Sequence, residues 1–202
     1  MCRMSRAAAC LVLAAVFFLT ACAASQAEYY VGFSLSSLYV GGEAVSARER
    51  AAASSAIADL LHEIESQIGA DREDSDVARI NAADAGERIA VGEHTYAILT
   101  LCKELFEETG GAFSPALYNL SELWGFTPDF EGQYSVPRAE PPENQIAAAV
   151  ALSDFDDIIL HEDGTVSKRQ AGVRIDLGGV AKGYMSDAAA QLLAERFGDS
   201  VD

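Results

Sequence analysis

The chain has 202 residues, 31 of them acidic and 14 basic, for a formal net charge of −17. Half of the residues are hydrophobic, which excludes a disordered chain, and the lack of a basic footprint excludes a nucleic-acid binder. The length allows one or two domains with a real core.

The N-terminus reads as an export segment. Arg3 and Arg6 precede an uncharged apolar run from Ala7 to Leu19, shorter than the ~20 residues of a comfortable membrane span. Leu19-Thr20-Ala21-Cys22 follows directly. Small residues before a cysteine at this place resemble a bacterial lipoprotein signal, which implies cleavage after residue 21 and a lipid on Cys22. The chain then divides into a signal at 1–21, a lipidated tether at 22–28 and a folded body at 29–202. Cys2 and Cys10 leave with the signal and Cys22 takes the lipid, so Cys102 stands without an intrachain disulfide partner. Its neighbours Leu99, Leu101, Leu105 and Phe106 predict a buried, inert thiol.

Tyr29 to Val40 reads as one strand or a bent pair. Ala44 to Ile68 predicts a helix from apolar residues at spacings of three and four, and Gly69 stops it. Asp71 to Asn81 reads as a charged loop, and Ile89 to Val91 as a brief extended piece. Gly92 to Thr109 predicts a second helix, closed by Gly110-Gly111. Ala112 to Trp124 reads as a loop running into a short helical segment. Gly125 to Pro142 holds four of the five prolines and reads as a surface excursion. Ile146 to Leu152 predicts a third helix. Ile158 to Leu160 and Val166 to Lys168, joined at Asp163-Gly164, predict a hairpin. Val173 to Leu177 reads as a further strand and Tyr184 to Phe197 as a final helix. This mixture with an antiparallel hairpin predicts an α+β fold.

The stretch Arg174-Ile175-Asp176-Leu177-Gly178-Gly179-Val180-Ala181-Lys182-Gly183-Tyr184 carries the most chemistry. A strand that runs into glycines and then a helix lets a ligand approach the backbone and offers N–H groups to a phosphate. Lys182 adds a positive charge. The same stretch also suits a turn that only packs. Thr109-Gly110-Gly111-Ala112-Phe113-Ser114-Pro115 is a helix cap followed by a rigid turn, and Leu123-Trp124-Gly125-Phe126 adds aromatics nearby. Asp74-Ser75-Asp76-Val77-Ala78-Arg79-Ile80-Asn81 reads as an acidic loop. His62, His94 and His161 are scattered and give no metal cluster. The acidic groups Asp71/Asp74 and Asp154/Asp156/Asp157 read as solvated turns, with calcium as the other reading.

In this order the three stretches resemble the ApbE family of FAD:protein FMN transferases. The Asp176 to Asp187 block is similar to the family's glycine-alanine-lysine-glycine signature. Thr109 to Pro115 is similar to its TGGAF-D-P turn, and Asp74 to Asn81 to its D-S-x-L-S-x-x-N loop. The resemblance implies an exported, Mg2+-dependent enzyme that splits the pyrophosphate of FAD. FMN is joined to a threonine or serine of an acceptor protein, and AMP is released. By position, Ala112, Phe113 and Ser114 match the turn that contacts FAD. Gly178 and Tyr184 match flavin-nucleotide contacts, and Ala181 matches a residue that offers its backbone carbonyl to magnesium.

The chain departs from the pattern at Ser114, where the family commonly has aspartate, near Asp71, where an aromatic is common, and near Leu35, where a methionine is common. Family members also continue past the point matching Asp202, in a part that carries the remaining magnesium ligands and the catalytic base. The expectation is therefore a C-terminal part missing from these residues and little transferase activity from them alone. A lipid-anchored flavin binder without catalysis is the alternative from the binding class. FAD hydrolysis to FMN and AMP is the third reading.

Overall fold

A computed structural model describes residues 29–33, 36–40, 46–127 and 139–198. The export segment, Cys22, Leu35 and positions 128–138 of the proline-rich excursion lie outside the described residues. β1 (Tyr29–Phe33) and β2 (Ser36–Val40) pair antiparallel, Tyr29 opposite Val40 and Phe33 opposite Ser36. The first apolar stretch is thus a pair of strands, and it packs on the helix that follows.

That helix, α1 (Ala47–Ile68), starts at a capping box. Ser46 Oγ accepts the Glu49 N–H at 3.3 Å while Glu49 Oε2 accepts the Ser46 N–H at 2.9 Å. Ala53, Ile57, Leu61 and Ile64 recur at helical spacing and form its buried face. Burying a Leu or Ile side chain stabilises by about 1.5–3 kcal/mol, so this face is a principal part of the core.

The acidic stretch after it departs from expectation. Only its first part is loop, and Asp76–Ala82 form a helix, α2. Ser75 caps this helix by accepting the Ala78 N–H at 2.9 Å. Val77 and Ile80, three apart, are both buried, so the apolar step is the inner face of one short helix. Asp76 is buried as well. It accepts the Gly92 N–H and the Thr95 hydroxyl, each at 2.7 Å, and pairs with Arg79. The Gly92 N–H is among those that a helix start leaves without an intrahelical partner.

β3 (Ile89–Ala90) leads into α3 (Glu93–Glu108), whose inner face is Thr95, Ile98, Leu99 and Cys102. Cys102 is fully buried, and burial pushes its thiol up to about 12, the inert thiol that its neighbours predict. Gly110 and Gly111 turn the chain out of α3 at φ +60° and +83°, a region closed to most side chains. α4 (Tyr118–Trp124) and α5 (Glu143–Val150) pack on each other. α5 begins at Glu143, upstream of the expected Ile146 and directly after Pro141-Pro142.

β4 (Ile158–Leu160) and β5 (Thr165–Lys168) form the expected hairpin around Asp163-Gly164. β3 adds to the other edge of β5, giving a three-stranded antiparallel sheet in the order β3-β5-β4. The architecture is α+β. α6 (Gly178–Phe197) lays Val180, Ala181, Met185, Ala189 and Leu193 against α1 and α3.

Two expectations are corrected at this end. Val173–Leu177 is not a ladder strand, although Val173, Ile175 and Leu177 are buried. Its polar groups find other partners: the Asn81 side chain donates to Ile175 O at 3.0 Å and accepts the Ile175 N–H at 2.8 Å. The Asp176 N–H reaches Pro115 O at 2.9 Å. The last helix also starts at Gly178, upstream of Tyr184, so the glycine block is its first turn.

Asn81→Ala leaves both Ile175 backbone groups without that partner. It is expected to lower the unfolding free energy by about 2–4 kcal/mol. The check is a shift of the urea midpoint with unchanged slope.

Candidate functional site

The fold brings the first turn of α6 opposite the loop that ends α1. Between them lies a cleft of about 400 Å3, within the ordinary size of ligand pockets. Asp176, Gly178, Ala181 and Lys182 form one wall, and Gly69, Asp71 and Arg72 form the other. Tyr118 borders both this cleft and a second hollow of about 320 Å3 beside it.

Each wall has a local cause. The Asp176 carboxylate accepts the Gly178 N–H at 2.8 Å and closes a tight turn into the helix. A Cβ at Gly178 would stand 3.1 Å from that same oxygen, so the missing side chain permits the turn. On the other wall, Ser75 Oγ donates to Gly69 O at 2.6 Å, which draws the 69–75 segment closed. A Cβ at Gly69 would meet Arg72 Cδ at 2.8 Å, so glycine lets the arginine stem lie against the end of α1.

The residues singled out by sequence do not all gather there. Gly178 and Ala181 line the cleft, Ala181 at 4% exposure. Phe113 reaches the same helix start: its Cε2 would stand 3.7 Å from a Cβ at Gly179. Its backbone N–H is held by Thr109 Oγ1 at 3.0 Å. Ala112 is exposed. The Ser114 hydroxyl donates to Ser153 O at 2.9 Å and accepts the Ala116 N–H at 3.2 Å, so it ties its turn to the end of α5. Tyr184 faces α3, with its hydroxyl 2.8 Å from His94 Nδ1 and the two rings edge-on. Burial, and then the charge of Glu93, raise its phenol above the ordinary range.

Sequence reasoning missed Arg72, Tyr118 and the working of Arg174. The Arg174 guanidinium lies 4.7 Å over the Tyr118 ring. Its Nε donates to Asn119 Oδ1 at 2.6 Å, and its terminal nitrogens engage both oxygens of Glu122. These hydrogen bonds, chiefly, hold the Glu122 carboxyl below its usual value. Asn119 also donates to Gly172 O at 2.9 Å. Arg72 sits in a run of alternating charges that gives no positional signal, and Tyr118 follows the motif turn without belonging to it.

Against the carboxylates of Glu65, Asp71 and Asp176 on its lining, the cleft sets two cations, Arg72 and Lys182, and the positive end of a 20-residue helix. That set suits a phosphate-bearing ligand. It does not complete a magnesium site. No group of three or more His, Cys, Asp or Glu side chains able to hold a metal occurs among the described residues. The carboxylates that line the cleft, Glu65, Asp71 and Asp176, do not gather into such a group, and an octahedral ion needs its oxygen ligands convergent. No helix among the described residues is long and apolar enough to cross a membrane.

A family model described as the ApbE family matches residues 32–201. A relative from Treponema pallidum, named FAD:protein FMN transferase, is 32% identical over 148 residues, 70% of this chain and 39% of the relative. A relative of the same name from Klebsiella pneumoniae is 30% identical, over 72% of this chain and 44% of its own length. Among solved structures, the ApbE protein from Thermotoga maritima superposes with a TM-score of 0.69 at 29% identity, covering 87% of this chain and 56% of that one. The flavin transferase ApbE from Vibrio cholerae gives 0.72 at 23% identity, over 84% and 53%; at that identity it shows the fold. The chain thus spans about two fifths of the length of these curated relatives.

The Glu122–Arg174 pair predicts an acid dependence. A carboxyl whose folded value is depressed contributes stability above its unfolded value, and loses it as pH falls through the folded one. Stability of the native chain is therefore expected to decline below about pH 4.5. Glu122→Gln is expected to flatten that decline, read from denaturant midpoints against pH.

Proposed function

The chain belongs to the ApbE family, and on that premise we propose that it holds FAD in the cleft between the 69–72 loop and the first turn of α6. In this reading it is the flavin-holding portion of an FAD:protein FMN transferase. The observation that carries it is the family's glycine-alanine-lysine-glycine block standing as the wall of a nucleotide-sized cleft.

Lys182 and Arg72 neutralise the pyrophosphate and orient it against the helix start. Phe113, Ala112 and Ser114 form the turn beside it, and Gly178 gives the backbone room to approach. In the reaction proposed for the whole family protein, a threonine or serine hydroxyl of the acceptor forms a phosphoester with the FMN phosphorus. The pyrophosphate bond breaks, AMP leaves, and the hydroxyl proton passes to a base. Magnesium belongs to that proposed reaction, where it would offset phosphate charge; by the resemblance, the Ala181 carbonyl would be among its ligands. Export and a lipid on Cys22 are part of the same proposal. They place the cleft at a membrane surface outside the cytoplasm.

The test is titration of the full chain with FAD, followed by flavin fluorescence, and then chromatography for AMP and FMN. Saturable quenching is expected, weakened about tenfold in Lys182→Met, as befits loss of a charge-assisted contact. No quenching overturns the reading. AMP release that needs both magnesium and a threonine- or serine-bearing acceptor supports the transferase. Free FMN with AMP and no acceptor means hydrolysis, and quenching without AMP under any condition means a flavin binder.

A further inference from the structure

Tyr118 stands where the two hollows meet. It lines the cleft at α6 and also the adjacent hollow, whose other lining residues are Ala70, Ala78, Asn81, Ala82 and Arg174. Apart from the arginine and asparagine, that lining is methyl groups. A hollow lined by three alanines, one aromatic ring, an amide and a guanidinium offers a planar ring an apolar floor, a stacking face and polar partners at its edge.

The plane of Tyr118 is fixed by another residue of the hollow's own lining. Arg174 stacks on the ring at 4.7 Å and is itself immobilised by Asn119 and Glu122, both on the same helix as the tyrosine. Asn119 is tied in turn to Gly172 O at 2.9 Å. A ring already locked in this way loses little conformational freedom when a ligand stacks on it.

We propose that Tyr118 is a ring-binding residue, the wall on which a planar ring of bound FAD stacks, and that Arg174 is the positioning residue that sets its plane. The inference rests on the flavin reading above and adds a contact residue that lies outside the family motifs. FAD carries two such rings, flavin and adenine, and both share the stacking chemistry.

The experiment measures FAD and FMN binding to the full chain by fluorescence. AMP and inorganic pyrophosphate are followed by competition, pyrophosphate serving as the probe without a ring. Tyr118→Ala is expected to weaken FAD by about tenfold to a hundredfold and leave pyrophosphate unchanged. Tyr118→Phe is expected to stay within about threefold of the native chain, because stacking needs the ring rather than the hydroxyl. Arg174→Met is expected to fall between them. A loss confined to FMN identifies the flavin as the stacked ring, and a loss confined to AMP identifies the adenine; either supports the proposal. Equal losses for FAD and pyrophosphate overturn it, since they mean collapse of the cleft. Native and Tyr118→Ala chains that bind FAD alike overturn this inference alone. A native chain that binds no nucleotide overturns it together with the flavin reading.

Discussion

The geometry of the cleft depends on one side-chain amide. Asn81, near the end of α2, gives Ile175 both hydrogen bonds that a neighbouring strand would supply, at 2.8 and 3.0 Å. Buried backbone groups must be paired somewhere, and along this run the amide stands in for a ladder. Lys168 secures the backbone of Asn81. It is 1% exposed, and its ammonium donates to Asn81 O at 2.9 Å and Ala171 O at 2.8 Å. Burial, more than the charge of Arg174, draws its pKa below the ordinary range. The chain accepts that desolvation and in return has α2, the 169–173 turn and the cleft floor held at one point.

Much of this was legible in the residues, and the rest was hidden for definite reasons. The α1 and α3 stripes, the β4–β5 hairpin and the buried thiol follow from periodicity and turn chemistry, which act locally. Val173–Leu177 has the alternation of a strand, because Val173, Ile175 and Leu177 do point inward. What pairs with its backbone is a side chain 94 positions away, and no local pattern encodes that. α2 was obscured because Asp76 and Arg79 look like solvent-facing loop charges, whereas Asp76 is buried as an acceptor for the start of α3. Lys168 breaks the rule that charges end strands at the surface: it sits between Ile158 of β4 and Ala85, and its ammonium turns to two backbone carbonyls.

Several motif side chains serve the scaffold. Asn81 closes the acidic motif and organises the cleft floor. Ser75, in the same motif, caps a helix and draws a loop shut. Ser114 spends its hydroxyl on backbone. The groups best placed to meet a ligand, Arg72, Lys182 and Tyr118, come mostly from the spaces between motif positions. In this chain these motif side chains build part of the scaffold on which the neighbouring cleft residues stand.

The bond from Ser75 Oγ to Gly69 O, at 2.6 Å, has a consequence for ligand entry. It joins the two ends of the cleft's outer rim, while Asp71 to Asp74 between them are exposed. A rim closed on itself keeps its path whether or not a ligand is bound, so most of its disorder is surrendered during folding. Adaptation on binding is confined to a few solvated side chains. The cleft is thereby preformed, with an adjustable fringe.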